Sequence, residues 1–179
     1  MMIAAMLALS AGLIAGHWSH TVGAGPMLGG LVCAAGCLRR RDVAVVGLGA
    51  MVLRELLIGL SGFTPVRLAA MLAAVGVLRL VRVRPSFTSF AIGLGCSTPA
   101  YHLVLTVGDW VTQTCSKAPL TFQGLLETLT SSLPYVGRSL VTDALLAGAF
   151  LLLYAGAGAL MIRRWPSLLH RPALLSTDR

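Results

Sequence analysis

Residues 22–61, VGAGPMLGGLVCAAGCLRRRDVAVVGLGAMVLRELLIGLS, decide the fold. Two apolar runs flank one basic knot, Arg39-Arg40-Arg41, closed by Asp42. Each run is close to the minimum of about 17 residues needed to cross the hydrocarbon of a bilayer. Arginines between spanning segments stay preferentially on the cytoplasmic side. The stretch therefore reads as two membrane segments joined by a cytoplasmic turn.

The same grammar runs through the rest of the chain. Of 14 Lys+Arg, ten fall in three places: Arg39 to Arg41, then Arg79, Arg82 and Arg84, then Arg163, Arg164, Arg171 and Arg179. The sequence between them is nearly continuously apolar. It is 56% hydrophobic with only 11% charged residues, against roughly 25% charged in soluble domains. Too little polar surface remains to clothe a water-soluble globule. The net charge of +8 is carried at the ends of apolar runs, which points to anionic headgroups of the lipid bilayer and away from nucleic acid.

Six apolar segments follow: about 2–16, 22–38, 43–61, 66–82, 87–110 and 140–162. Every second connection is the basic one. This predicts an all-α polytopic protein with six crossings and both termini inside. Residues 1–165 form one membrane domain, and 166–179 a short basic cytoplasmic tail. The rival reading of the first segment is a cleaved signal peptide ending near Ala15-Gly16, but it lacks a basic leader.

The fifth connection, 111–138, is long and so suggests function. Between Pro119 and Pro134, Leu125, Leu126, Leu129 and Leu133 recur at helical spacing, with Gln123, Glu127, Thr128 and Thr130 opposite. This predicts an amphipathic helix at the outer face. There is no repeat, no Walker A motif and no zinc-ligand spacing. The four cysteines are too scattered for a disulfide framework. Cys33 and Cys37 share a helical face, a pattern open to metal or redox use and equally to small-residue packing.

Ionisable residues at membrane depth need a partner or a job. Arg54 and Glu55 are adjacent, and neighbours do not face one another on a helix. Each is expected to pair with another helix, either as a structural ion pair or as a polar site. Asp143 reads as an acid complementing the start of its own helix, or as part of an outward-facing polar ring with His17, His20 and Asp109. Trp110 and Trp18 suit the interfacial aromatic belt. Cys96-Ser97-Thr98-Pro99 should interrupt the hydrogen bonding of the fifth segment. The freed carbonyls either line a cavity or take the Ser97 and Thr98 hydroxyls. His102 lies near Ser97 without an evident orienting acid, so an enzyme ranks third among the readings. Ala4, Ala8, Gly12 and Gly16 form a small-residue row on the first segment, suited to close helix packing.

Two stretches also carry a family resemblance. One is GAGPMLGGLVCAAGCLRRR (23–41) followed by LRELLIGLSGF (53–63). The other is YHLVLTVGDW (101–110) followed by PLTFQGLLETLTSSLPYVGRSLVTDALL (119–146). Together they resemble a bacterial family of small membrane proteins classed as a domain of unknown function. That family is distantly similar to the S-components of energy-coupling-factor vitamin transporters. The best-matched positions are Gly108, Trp110, Thr121, Gly124, Leu125, Leu133, Pro134 and Tyr135. The chain departs from the family at Arg54-Glu55, where Ser-Asp is usual. It departs again at Thr106, Ala118 and Thr142.

The resemblance implies six helices in a bacterial inner membrane and a vitamin or nutrient bound from outside. It also implies a transmembrane coupling partner docked on the first helix through Ala4, Ala8, Gly12 and Gly16. No cofactor is specified. Combining this with the topology, the expected binding residues are Trp18, His20, Phe63, Asp109, Trp110, Phe122 and Tyr135. Arg54, Glu55, His102 and Asp143 are the intramembrane polar set. The competing expectation is a membrane scaffold or assembly subunit that transports nothing.

Overall fold

A computed structural model describes residues 27–84, 86–114 and 116–164. The first apolar segment, with Trp18, His20 and the row Ala4, Ala8, Gly12 and Gly16, lies outside the described residues, as does the tail 166–179. The described chain is all helix: α1 (Met27–Cys37), α2 (Arg40–Ile58), α3 (Thr64–Val81), α4 (Phe87–Thr112) and α5 (Phe122–Arg164).

The element ends follow local chemistry. The chain leaves α1 through Leu38 and turns at Arg39, which is extended. α2 stops at Gly59, whose φ of +107° suits only a residue without a Cβ, and whose N–H donates to the Glu55 carbonyl at 2.9 Å. Pro65 sits in the first turn of α3, where its missing N–H has no helical partner to lose. Ser86 caps α4, its hydroxyl accepting from the Ser89 N–H.

Among the described residues three helices are long and apolar enough to cross a membrane: α3, α4 and residues Phe122–Gly156 of α5. α2 has the length but carries Arg40, Arg41, Asp42, Arg54 and Glu55. The described part of α1 is apolar and 11 residues long.

Antiparallel neighbours set two ends. At the basic end the Phe90 ring fills the space a Cβ on Gly36 would need, and Val83 packs on Gly93. Midway, Leu31 and Val75 pack on Gly47. At the far end Val66 packs directly on Gly108, so α3 and α4 touch backbone-close. Leu31, Val32, Cys33, Met51, Met71, Ala74, Val75, Leu78, Phe90 and Phe150 form one core between these levels. Phe90, Phe150 and Tyr154 stack in series and tie α5 to α4. Outward-facing Val45, Leu80, Phe87, Leu152 and Leu153 are more than two-thirds exposed. For a helix in lipid that is the expected outer surface.

One expectation needs correcting. The predicted amphipathic helix and the last span are not separate elements; both lie in α5, 43 residues long, with Pro134 inside it. The reason is phase. Gly124, Thr128, Ser139, Asp143, Ala147 and Phe150 are all buried, and their spacing stays on one face across the proline. Pro134 itself is exposed. Its ring and its missing N–H disturb the outer side, while the buried stripe holds the inner side in register.

Candidate functional site

Three polar assemblies and one groove interrupt the apolar bundle. The first surrounds Glu55, which is 1% exposed on α2. Its carboxylate accepts from the Thr64 hydroxyl at 2.7 Å, from Arg67 at 2.9 and 3.2 Å, and from Arg54 at 3.0 Å. The Ser61 N–H donates in turn to the Thr64 hydroxyl, bracing the turn between α2 and α3. The guanidinium of Arg67 also stands over the Phe63 ring, 5.5 Å from its centroid. Two cations therefore share one buried acid, and the cluster keeps a net positive charge. Glu55 finds its partners across the turn as expected. Arg54 does not reach another helix: its long side chain folds back to its neighbour Glu55, which the spacing argument had excluded.

The second assembly is centred on Asp143, fully buried on α5. The Gly29 N–H donates to its carboxylate at 2.6 Å, and the Ser139 hydroxyl donates at 3.1 Å. The Leu28 backbone also bonds to it. These amides belong to the first turn of α1, whose unpaired N–H groups need an acceptor. Asp143 thus caps a helix that is not its own. The sequence reading placed it at the start of its own helix. That helix begins at Phe122, so Asp143 lies deep within it. Gly29 makes the arrangement sterically feasible, since a Cβ there would run into the Asp143 backbone.

The third assembly pins the segment 113–121. Asp109 accepts from the Ser116 N–H at 3.1 Å, and the Trp110 indole N–H donates to the Pro119 carbonyl at 3.0 Å. Gln113 spans the same turn, donating to the Trp110 and Ala118 carbonyls. The Ser116 and Thr128 hydroxyls bond at 3.2 Å, joining the segment to α5. Asp109 and Trp110 are therefore engaged with the chain itself. Phe122 and Tyr135 are 76% and 54% exposed and face away from the bundle.

The groove lies between α4 and α5 and holds about 360 Å³. Leu103, Leu129, Leu133, Val136 and Pro99 give it an apolar lining, with His102, Thr106, Thr130 and Ser132 as its polar groups. The Nε2 of His102 is buried and has no hydrogen-bond partner among the described residues; the same holds for the Ser97 and Thr98 hydroxyls. Pro99 itself lines this groove, and the Ser97 and Thr98 hydroxyls make no bond to a carbonyl among the described residues.

Sequence reasoning gathered Phe63, Asp109, Trp110, Phe122 and Tyr135 as one site. The groove is lined by none of these five; of the intramembrane polar set it includes His102. Thr64, Arg67, Gly29, Ser139, Ser116 and Thr128 were missed as partners. Arg67 had a usable signal, because Glu55 and Arg67 lie six residues either side of Ser61 and so face each other across the turn.

A helical bundle with three membrane-length apolar helices and two fully buried carboxylates defines a membrane-type protein. The chain belongs to the Family of unknown function (DUF6580), whose model matches residues 1–168. No curated protein and no solved structure matches it.

Proposed function

We propose that this protein is a multi-pass protein of the bacterial inner membrane that binds a small molecule, a vitamin or nutrient, for uptake in the manner of an S-component. It would cross the membrane six times with both ends in the cytoplasm. The observation carrying this reading is the α4–α5 groove. It is apolar, of ligand-binding size, and furnished with a few polar groups, among which the His102 Nε2 has no partner among the described residues. His102 is the first candidate for orienting a ligand there, with Thr106 beside it. The segment 113–121, held by Asp109 and Trp110, stands at the far end of the same helix pair. No nucleotide-hydrolysing motif occurs in the sequence, so active uptake would draw on a separate transmembrane coupling protein or on trapping downstream. The row Ala4, Ala8, Gly12 and Gly16 is the natural surface for one.

Mass spectrometry of protein purified in mild detergent tests this reading. A small molecule should co-purify at near-stoichiometric yield, and His102→Ala should lower its retention about tenfold, the effect of losing roughly 1.4 kcal/mol of binding. Repeated preparations without ligand, and a deletion strain with unaltered nutrient uptake, would sink it.

A scaffold or assembly role is the second reading. It draws on a different observation: Glu55 and Asp143 are both engaged in internal bonds that join helices and offer nothing to a ligand.

A further inference from the structure

A second cavity opens at the basic end, where the end of α1, the start of α2 and the end of α3 meet. It holds about 380 Å³ and is lined by Arg39, Arg79 and Arg82 over an apolar floor of Leu38, Val43 and Leu78. We propose that this cavity binds an anionic phosphate group, supplied by the headgroup of an anionic phospholipid. The proposal does not rest on the groove or on the uptake reading.

Four observations converge. Charge is the first. Among the described residues the sequence sets Arg39, Arg40, Arg41, Arg82 and Arg84, beside the already engaged Arg79, at this end against the single acid Asp42. The other described acids are committed elsewhere: Glu55 to Arg54 and Arg67, Asp143 to Gly29, Asp109 to Ser116, and Glu127 to Gln123.

The second is the helix end. α2 begins at this cavity with Arg39 as its N-cap and with no side chain capping its amides. Helix N-termini carry partial positive charge and favour anions. Arginines crowded at such an end repel it, and Asp42 is the only acid in that first turn. Arg79 and Arg82 have a sufficient explanation in the negative end of α3. Arg39 and Arg41 have none of that kind.

The third is Arg82 itself. It terminates α3 in the left-handed conformation, φ 54° and ψ 57°, a position glycine fills more readily. An arginine kept there turns its charge to the cavity rim.

The fourth is the floor. Guanidinium groups above leucine and valine suit an amphiphile, with phosphate at the rim and hydrocarbon below. Arginine's planar fork matches phosphate oxygens in pairs.

Binding is read on the purified full chain by native mass spectrometry and by thermal unfolding in detergent. The additions are phosphatidylglycerol, phosphatidylcholine or inorganic phosphate. Phosphatidylglycerol should stay bound and raise the melting temperature by several degrees, while phosphatidylcholine does neither. Arg82→Gly relieves the backbone strain while removing the charge, so it should fold and lose most of that preference. Arg39→Gln should do likewise, whereas Arg54→Gln at the far end should retain it. If inorganic phosphate alone reproduces the shift with the same arginine dependence, the anion site stands and its source is the free ion. Equal response to the two lipids, or an undiminished preference in Arg82→Gly, overturns the proposal.

Discussion

Two carboxylates lie fully inside this bundle, and they are kept there by opposite means. Glu55 is neutralised by charge, with two guanidinium groups and a hydroxyl converging from α2 and α3. Asp143 has no cation among its hydrogen-bond partners in the described residues. It is held by backbone amides of α1 and by one serine hydroxyl. A helix end can therefore take the place of a counter-ion, because its unpaired N–H groups carry the partial positive charge a buried acid needs. The difference has a consequence for rigidity. The Glu55 cluster is partly open, its arginines about 30% exposed, so water can share in it. The Asp143 cap is closed, and if it breaks the carboxylate keeps only the Ser139 hydroxyl among the described residues.

The comparison breaks most sharply at Asp143. Asp143→Ala leaves the α1 amides unsatisfied in the interior and should destabilise the protein by about 2–4 kcal/mol. Asp143→Asn keeps an acceptor oxygen and should lose less than half of that. Chemical unfolding in detergent, followed by helical circular dichroism, ranks the two. Equal losses would mean that the charge matters and the cap does not.

Glu55→Gln removes the acid between Arg54 and Arg67 and should destabilise by about 1–2 kcal/mol, discounted because both arginines reach solvent. Arg67→Ala should come near the same loss, since Arg67 makes two bonds to the carboxylate and covers Phe63. Arg54→Ala, losing one local bond, should fall below about 1 kcal/mol. If Arg54→Ala matched Arg67→Ala, the cluster would be a symmetric triad and not a pair across the turn with an accessory.

The most local expected effect lies at the pinned segment. Trp110→Phe deletes one hydrogen bond to Pro119 and should lower stability by about 0.5–1.5 kcal/mol. Hydrogen exchange should quicken in 113–121 and stay unchanged in α2 and α3. Uniform quickening would show that the clamp supports the whole bundle.

Much of this architecture was legible in the chain. Apolar length and arginine placement marked the described helices from Met27 to Thr112 to within a few residues at their described ends. Long-range bonds were not legible. The spacing of Asp143 suggests a helix start, because nothing local reveals that the amides it needs are carried by Gly29. Pro134 reads as a stop in a residue-by-residue scan. Only the unbroken phase of Gly124, Thr128, Ser139 and Asp143 tells against that. The groove was half legible: Pro99 and His102 were marked as unusual. Leu129 and Leu133 read as part of a separate surface helix, so the sequence offers no facing wall. The aromatic and acidic residues of the far end were grouped by depth, and depth alone does not say which way a side chain turns.

The bond between Gly29 and Asp143 joins positions 114 residues apart. A chain made from its N-terminus therefore produces α1 long before the acid that completes it exists. Until α5 is synthesised and docks, the start of α1 must borrow another acceptor or remain unwound. The last helix to arrive is what finishes the first described one, so truncation between Thr112 and Asp143 should leave α1 to α4 encoded and the earliest of them unfinished.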